Sequence, residues 1–189
     1  MARLIIGVAG EIGAGKDTVT AYITEKHGAK YYRYSIILKD ILRRLHLPYD
    51  RVSLANLAEA LRAYFGENIL SRTLIADAEA DLDAEIVVFD GIRKIGELEF
   101  LKTLPNFRFL FVHADMPVRY QRLRKRGEKT DDLSKTMEQF MKDHEHAADN
   151  VIPRLREHAH RIIDNNGTLE DMYRQIDTAI KVFRSGETV

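Results

Sequence analysis

Residues Gly10-Glu11-Ile12-Gly13-Ala14-Gly15-Lys16-Asp17-Thr18 decide the fold of this chain. They follow a continuous apolar stretch over residues 4–9 and precede a helical pattern with one apolar side. The three glycines let the backbone turn tightly and point successive N–H groups inward, and Lys16 adds a positive charge. The helix that follows offers its positive N-terminal end to an anion. The stretch therefore predicts a phosphate-binding loop between a buried strand and a helix.

One position of this loop departs from the usual pattern. GxxxxGK is normally followed by Ser or Thr, and Asp17 stands there instead. A carboxylate beside phosphates is repulsive unless a cation bridges them, and Thr18 offers a hydroxyl group at the next position. A dinucleotide-binding loop is a poorer match, because Thr18 falls where the third glycine of GxGxxG belongs. We therefore expect a phosphate loop in which Asp17 and Thr18 meet a metal ion.

Composition limits the class of protein. The 189 residues, 45% of them apolar, suffice for one domain with a substantial core. Lys plus Arg and Asp plus Glu number 29 each, so no net charge draws the chain to nucleic acid or to an anionic membrane. There is no cysteine, which excludes disulfides and thiolate metal sites. The apolar runs are far shorter than the roughly 20 residues of a membrane helix. We expect a cytoplasmic protein with one domain over residues 1–189.

Short apolar strand patterns alternate with helical patterns along the chain. The strand patterns cover residues 4–9, 30–34, 85–89, 107–112 and 160–163. Such alternation requires crossover connections, so we predict an α/β fold, a three-layer sandwich with a five-stranded parallel sheet. The last helix is predicted to begin at the N-cap Thr168, with Asp171 three residues on. Its predicted core face comprises Leu169, Met172, Tyr173, Ile176, Ile180 and Phe183.

Charged and polar residues follow the predicted strands. Ligands of parallel sheets bind beyond the carboxyl ends of the strands. The third predicted strand ends in Asp90-Gly91-Ile92-Arg93, and the fifth in Asp164-Asn165-Asn166-Gly167-Thr168. The fourth leads into a basic helix, on which Arg122 and Arg126 lie four residues apart and share one face. The strand ends therefore converge on one predicted anion site.

Four motifs, in this order and spacing, resemble those of the P-loop nucleoside-monophosphate kinases over essentially the whole chain. Residues 10–18 resemble the family's phosphate loop, and residues 90–93 resemble its Asp-Gly-x-x-Arg segment but are one residue shorter. Residues 122–127 resemble the start of its lid, and residues 164–168 the loop that holds the donor adenine. The resemblance implies the P-loop NTPase fold of the nucleotide kinases, with a helical lid.

It also implies in-line transfer of the γ-phosphoryl group of ATP, with ATP and Mg²⁺ as cofactors. The implied donor site comprises Gly10, Gly13, Ala14, Gly15, Lys16, Asp17, Thr18, Arg122, Asn165 and Gly167. The implied catalytic residues are Lys16, Asp17, Arg93, Arg122 and Arg126. The implied acceptor site comprises Ser35, Lys39, Arg62, Arg72, Asp90 and Arg93, and the implied metal site Asp17, Thr18 and Asp90. The family's acceptor-binding helical insertion corresponds to residues 36–80, and its lid to about 119–147.

The acceptor stays open at this stage. Gly-Lys-Asp-Thr and residues 32–40 are similar to deoxynucleoside-monophosphate kinases, whereas residues 162–167 are similar to dephospho-coenzyme A kinases. The latter carry an acidic residue just after the second strand to activate a ribose hydroxyl, and Ser35 occupies that stretch here. A nucleoside or deoxynucleoside monophosphate is therefore favoured. If the acceptor is an alcohol, Asp17 is the predicted general base.

Two other classes of function also stay open. A nucleotide-dependent switch or regulatory ATPase would use the same loop without a small-molecule acceptor, although no guanine-reading Asn-Lys-x-Asp is present. A binding protein that has lost catalysis would retain the loop alone. A nucleic-acid binder is disfavoured, because the basic helix lacks interleaved aromatic residues. We expect a small-molecule partner and no nucleic-acid or membrane partner.

Overall fold

The computed structural model describes residues 4–81, 83–126, 136–145 and 152–185. The strands are β1 (Leu4–Gly10), β2 (Lys30–Arg33), β3 (Ile86–Asp90), β4 (Phe107–His113) and β5 (Arg161–Asp164). They form one parallel sheet in the order β2-β3-β1-β4-β5. Helices cover both faces of this sheet, which confirms the predicted three-layer α/β fold.

The helices connect successive strands as crossovers, except the last, which follows β5. They are α1 (Lys16–His27), α2 (Tyr34–Arg44), α3 (Arg51–Phe65), α4 (Ile69–Ala80), α5 (Ile95–Lys102), α6 (Met116–Arg126), α7 (Met137–Glu145), α8 (Ile152–Leu155) and α9 (Leu169–Ser185). A short 3₁₀ turn, Arg156–His158, follows α8. Among the described residues, none of these helices is both long enough and apolar enough to cross a bilayer.

Side-chain alternation along the strands divides the core into two layers. Ile6 and Val88 face a cluster completed by α1 and α9. Val87 and Phe89 face the opposite cluster, which is completed by α2, α3, α4, α5 and α8. Because both faces of the central strands are buried, their sequences are continuously apolar rather than alternating.

Helices α2, α3 and α4 form one continuous segment between β2 and β3, which we call the helical excursion. The chain leaves at the end of β2 and returns as β3, and these two strands are hydrogen-bonded neighbours. The predicted acceptor insertion, residues 36–80, lies within this excursion. Its assignment to the acceptor stays a prediction, as does the lid, of which residues 127–135 and 146–147 lie outside the described residues.

One strand boundary bears on the site. The second strand pattern extends to residue 34, but β2 ends at Arg33 and Tyr34 begins α2. The Tyr34 ring is buried, and its hydroxyl lies 2.8 Å from the Ser71 hydroxyl of α4. Packing among the helices therefore takes Tyr34 out of the strand, and Arg33 becomes the last residue of β2.

The last helix agrees with its prediction except at its first residue. Asp171 N–H donates to the Thr168 hydroxyl across 3.1 Å, and Thr168 N–H donates to the Asp171 carboxylate across 3.3 Å. This reciprocal pair caps the start of α9. Met172, Ile176, Ile180 and Phe183 of the predicted face are buried against the sheet, and Tyr173 packs beside them while partly buried. Leu169 does not, because it lies in the first turn and is 52% exposed, so its predicted packing role is wrong.

Candidate functional site

The loop between β1 and α1 is shaped by two glycines in the left-handed region. Gly13 has a φ of 78°, and Gly15, which caps α1, has a φ of 97°. Residues with a Cβ rarely adopt such values. The Ala14 N–H donates to the Glu11 carbonyl across 3.1 Å and closes the turn. Helix α1 therefore begins at the carboxyl edge of the sheet, where the unpaired N–H groups of its first turn can receive an anion.

Lys16 is the first residue of α1, and its side chain folds back over the loop. Its Nζ donates to the Gly10 carbonyl across 2.8 Å and to the Glu11 carbonyl across 3.2 Å. Burial lowers the pKa of Lys16 below its ordinary value. The Asp90 carboxylate opposes this shift, and the Arg93 guanidinium adds to it. The Lys16 ammonium thus lies inside the loop, within electrostatic reach of both residues.

The loop has little room for a side chain at Gly13. A Cβ there would lie 2.8 Å from the backbone oxygen of Arg119, in addition to the strain of the positive φ. We expect Gly13→Ala to weaken binding of a non-hydrolysable ATP analogue about tenfold, because the added Cβ pushes the loop away from the Arg119 backbone and such overpacking costs about 1–3 kcal/mol. Isothermal titration calorimetry measures this affinity.

Gly28→Ala is the matched control for this variant. Gly28 ends α1 with a φ of 65°, but a Cβ there meets no atom within 4 Å. The control therefore carries the backbone strain without the collision and without contact to the loop. Equal losses of affinity in the two variants would show that the collision at Gly13 has no importance for the nucleotide site.

The end of β5 braces the loop from one side. Asn165 is buried, and its Nδ2 donates to the Ala14 carbonyl across 2.8 Å. A Cβ on Gly15 would collide with this amide nitrogen. Arg122 of α6 donates through Nη2 to the Asn165 carbonyl across 2.9 Å, while its buried Nη1 has no hydrogen-bond partner among the described residues. The structure thus brings together four residues of the predicted donor site, with one guanidinium nitrogen directed at the place of a ligand.

Two further residues of the predicted donor side are placed differently. Gly167 is exposed in the turn before α9. Arg126 is the last residue of α6, and its side chain lies outside the described part of the structure. The pairing of Arg122 with Arg126 on donor phosphates stays a prediction.

Arg119 forms a second brace, although it belongs to the basic helix. Its Nη2 lies 3.1 Å from the Glu11 carboxylate, and its Nη1 donates to the Ile12 carbonyl across 3.3 Å. Its Nε donates to the Ala114 carbonyl across 3.0 Å. Burial lowers the pKa of Arg119, and the Glu11 carboxylate opposes this shift. Arg119 is therefore tied to the phosphate loop and is not part of a solvated basic face.

Asp90, the last residue of β3, is the central acidic group of the site. It is fully buried, and its Oδ2 accepts from the Tyr31 hydroxyl across 2.7 Å and lies 3.2 Å from the Arg33 Nε. Burial and the Asp90 charge raise the pKa of Tyr31, so the phenol stays a donor. Asp90 Oδ1 is buried, and within the described part of the chain it has no hydrogen-bond partner. An orphaned carboxylate oxygen near the phosphate loop fits a magnesium ion or one of its water ligands.

Asp17 and Thr18 lie in the first turn of α1, and both are exposed. The Asp17 carboxylate lies 3.7 Å from the Arg33 Nη1. Arg33 therefore spans the two predicted metal-binding carboxylates, Asp17 and Asp90. Magnesium is typically held by one or two carboxylates together with nucleotide phosphates, and this pair provides such a set.

The predicted acceptor residues fall into two groups. Arg93 is exposed after β3, and its backbone N–H donates to the buried Glu97 carboxylate across 3.1 Å. Arg62 is buried and donates to the other oxygen of Glu97 across 2.7 Å. Arg62 also contacts Glu59 at 3.1 Å. The guanidinium of Arg62 thus supports the segment that carries Arg93, and acceptor binding by Arg62 stays a prediction.

The remaining acceptor predictions lie on the helical excursion. Ser35 is partly buried in the first turn of α2, whereas Lys39 of α2 and Arg72 of α4 are exposed. The described contacts do not join these three side chains to the phosphate loop. If these residues bind the acceptor, helices α2 and α4 must contact it at the edge of the sheet.

Three residues of the site were missing from the predictions. Tyr31 and Arg33 lie on β2, and Glu97 lies in the first turn of α5. A β2 boundary one residue earlier would have placed Arg33 at a strand end, beside Asp90 of the neighbouring strand. Glu97 had no comparable signal, because its importance comes from burial next to Arg62.

Comparisons with known proteins identify the family of this chain. The model of a family described as an AAA domain (AAA_18) matches residues 6–142. A UPF0200 protein of Sulfurisphaera tokodaii is 30% identical over 179 residues, which cover 94% of this chain and 96% of the relative. The matched region of this relative therefore extends well beyond the phosphate loop.

Two solved kinases share the fold. Shikimate kinase from Bacteroides thetaiotaomicron has a TM-score of 0.62 and 16% identity, with 96% of this chain and 98% of that chain covered. A gluconokinase from Sinorhizobium meliloti 1021 has a TM-score of 0.54 and 15% identity, with 97% and 98% covered. At such identities the likeness concerns the fold alone. The chain therefore belongs to the UPF0200 family, whose AAA domain has a P-loop kinase-like fold.

Proposed function

We propose that this protein transfers the γ-phosphoryl group of Mg-ATP to a small anionic acceptor, a nucleoside or deoxynucleoside monophosphate. One observation carries the proposal. Arg33 at the end of β2 and Arg93 after β3 both lie within electrostatic reach of Lys16. An acceptor that approaches the phosphate loop beside these strands meets two guanidinium groups, which recognise phosphate in preference to an uncharged alcohol.

The donor side has a matching arrangement. The N–H groups at the start of α1 would bind the β-phosphate, and Lys16 would exchange the carbonyls of Gly10 and Glu11 for phosphate oxygens. Arg122 would direct its unpartnered Nη1 at the donor phosphates. Magnesium, when bound, neutralises negative charge on the transferred group. Asp90 and Asp17 are the residues of this chain that would hold it.

The direct test is a turnover assay with Mg-ATP and a panel of acceptors. ADP release is measured with ribo- and deoxynucleoside monophosphates, and with dephospho-coenzyme A in the same plate. Turnover that depends on one class of monophosphate is the expected result. ATP binding without acceptor-dependent turnover would contradict the proposal and favour a regulatory ATPase.

A second acceptor class has one observation in its favour. The Asp17 carboxylate is about half exposed at the head of α1, where it could receive the proton of an acceptor hydroxyl. A dephospho-coenzyme A kinase-like reaction would use it in this way. The solved kinases that share the fold include a shikimate kinase and a gluconokinase, so this fold is compatible with phosphoryl transfer to an acceptor hydroxyl. Turnover with dephospho-coenzyme A alone would select this alternative.

The variant Arg93→Ala tests whether this side chain binds the acceptor rather than ATP. We expect the acceptor KM to rise at least about tenfold, because a hydrogen bond to a charged group contributes about 1.5–3 kcal/mol. The KM for ATP should change by less than about twofold, since it reflects contacts with the loop. Steady-state kinetics with each substrate varied in turn measure both constants.

Arg184→Ala is the control for the loss of a surface arginine. Arg184 lies near the end of α9 and pairs with Glu85 at 3.6 Å, just before β3 and therefore at the opposite edge of the sheet from the phosphate loop. This variant should leave both constants unchanged. Similar increases of the two KM values in Arg93→Ala would contradict an acceptor-specific role.

A further inference from the structure

Arg33 occupies the space between the two carboxylates that the proposed function assigns to magnesium. Its Nε lies 3.2 Å from Asp90 Oδ2, and its Nη1 lies 3.7 Å from Asp17 Oδ1. The register of β2 against β3 pairs Arg33 directly with Asp90. Burial works to lower the pKa of Arg33, but Asp90, Tyr31 and Asp17 outweigh it and raise the pKa. The guanidinium therefore stays charged.

Asp90 has one carboxylate oxygen that can bind a second cation. The residue is fully buried, and only its Oδ2 is used by Tyr31 and Arg33. Its Oδ1 is buried and finds no hydrogen-bond partner in residues 4–81, 83–126, 136–145 and 152–185, although a buried polar atom normally has one. This vacant acceptor points to a ligand that binds Asp90 in addition to Tyr31 or in place of Arg33.

Arg33 also has room to move. Its side chain is 39% exposed, whereas Asp90 is fully buried. Water can hydrate this guanidinium when it leaves, and a metal ion bound to Asp90 would replace the positive charge that the buried carboxylate loses. Asp90 itself cannot leave, since it is fixed at the end of a central strand.

We propose that Arg33 is an internal cation that holds Asp17 and Asp90 together without metal, and that magnesium displaces it. The inference rests on the proposed function, since it concerns the metal of the donor nucleotide. A divalent ion and a guanidinium repel each other, and here they would share the same two carboxylates. Arg33 therefore lowers the affinity of the empty protein for metal, and a metal ion carried by a nucleotide is bound in preference to a free one.

The test uses Mn²⁺ as a spectroscopic probe, with neither nucleotide nor acceptor present. Free Mn²⁺ is measured by electron paramagnetic resonance during titration of the wild-type protein, Arg33→Gln and the control Arg184→Gln. We expect Arg33→Gln to bind Mn²⁺ at least about tenfold more tightly, because a unit positive charge close to the ion is removed. Arg184→Gln should match the wild type. Asp90→Asn in the Arg33→Gln background should abolish the gain.

Equal Mn²⁺ affinity in wild type and folded Arg33→Gln would overturn the proposal. A second measurement uses only the ¹⁵N-labelled wild-type protein. The Nε–Hε resonance of Arg33 should shift as Mg²⁺ is added. An unmoved resonance at saturating Mg²⁺ would also overturn it. Because no turnover is measured, a failed acceptor panel leaves this result intact, and a failed titration leaves the kinase proposal intact.

Discussion

Lys16→Met is expected to reduce acceptor-dependent turnover about a thousandfold, since loss of one preorganised donor to a developing charge costs about 10²–10³ in rate. Lys16 is the loop's own cation, and its ammonium is enclosed by the carbonyls of Gly10 and Glu11. In this low-dielectric position its charge is screened little by water. Methionine keeps the length of the side chain and removes the charge. Single-turnover kinetics with saturating Mg-ATP measure the loss.

Lys26→Met is the matched control, because Lys26 is an exposed lysine in the last turn of the same helix. It should retain full turnover. ATP affinity must be measured in parallel, since a fall in affinity alone would point to a binding role for Lys16. A variant at position 16 that turned over within about threefold of wild type would contradict loop-based phosphoryl transfer altogether.

The second large effect concerns stability. Arg62→Leu is expected to lower the free energy of unfolding by about 3–5 kcal/mol, because it leaves the buried Glu97 carboxylate without its partner. Glu97 is almost completely buried, and the Arg62 contact is its charged hydrogen bond at 2.7 Å. Urea unfolding followed by far-UV circular dichroism gives the difference in free energy.

Two further variants isolate the buried pair. Glu59 contacts Arg62 at 3.1 Å but is 66% exposed, so Glu59→Ala should cost less than about 1 kcal/mol. The double variant Arg62→Leu/Glu97→Leu should recover much of the lost stability, because two apolar groups replace a pair of charges. A loss in Arg62→Leu no larger than in Glu59→Ala would show that Glu97 finds another partner or becomes hydrated.

The fold could be predicted because its signals are local. The strands are buried on both faces, so each appears in the sequence as a short apolar run, and the glycines of the phosphate loop mark the first crossover. The carboxyl ends of parallel strands then meet at one edge, which is why Lys16, Asp90 and Asn165 could be placed near one another before the structure was known.

The charge network was harder to predict because it depends on pairs from different elements. Arg33 contacts Asp90 through the register of two strands, and Arg62 contacts Glu97 across the packing of α3 on α5. No spacing in the sequence encodes either contact. A buried arginine also looks the same in a sequence as an exposed one, so the different surroundings of Arg62 and Arg93 became visible only in the structure.

The excursion of α2, α3 and α4 has a consequence for how this scaffold can change. Its two ends join neighbouring strands, whose pairing sets Arg33 against Asp90 without help from the helices. A longer, shorter or foreign segment grafted between these strands would leave the phosphate loop and its acidic partners in place. On the proposed function, donor chemistry is therefore inherited as a fixed unit. The predicted acceptor role of this segment implies that exchange of one stretch of chain would change acceptor preference and leave the donor site unchanged.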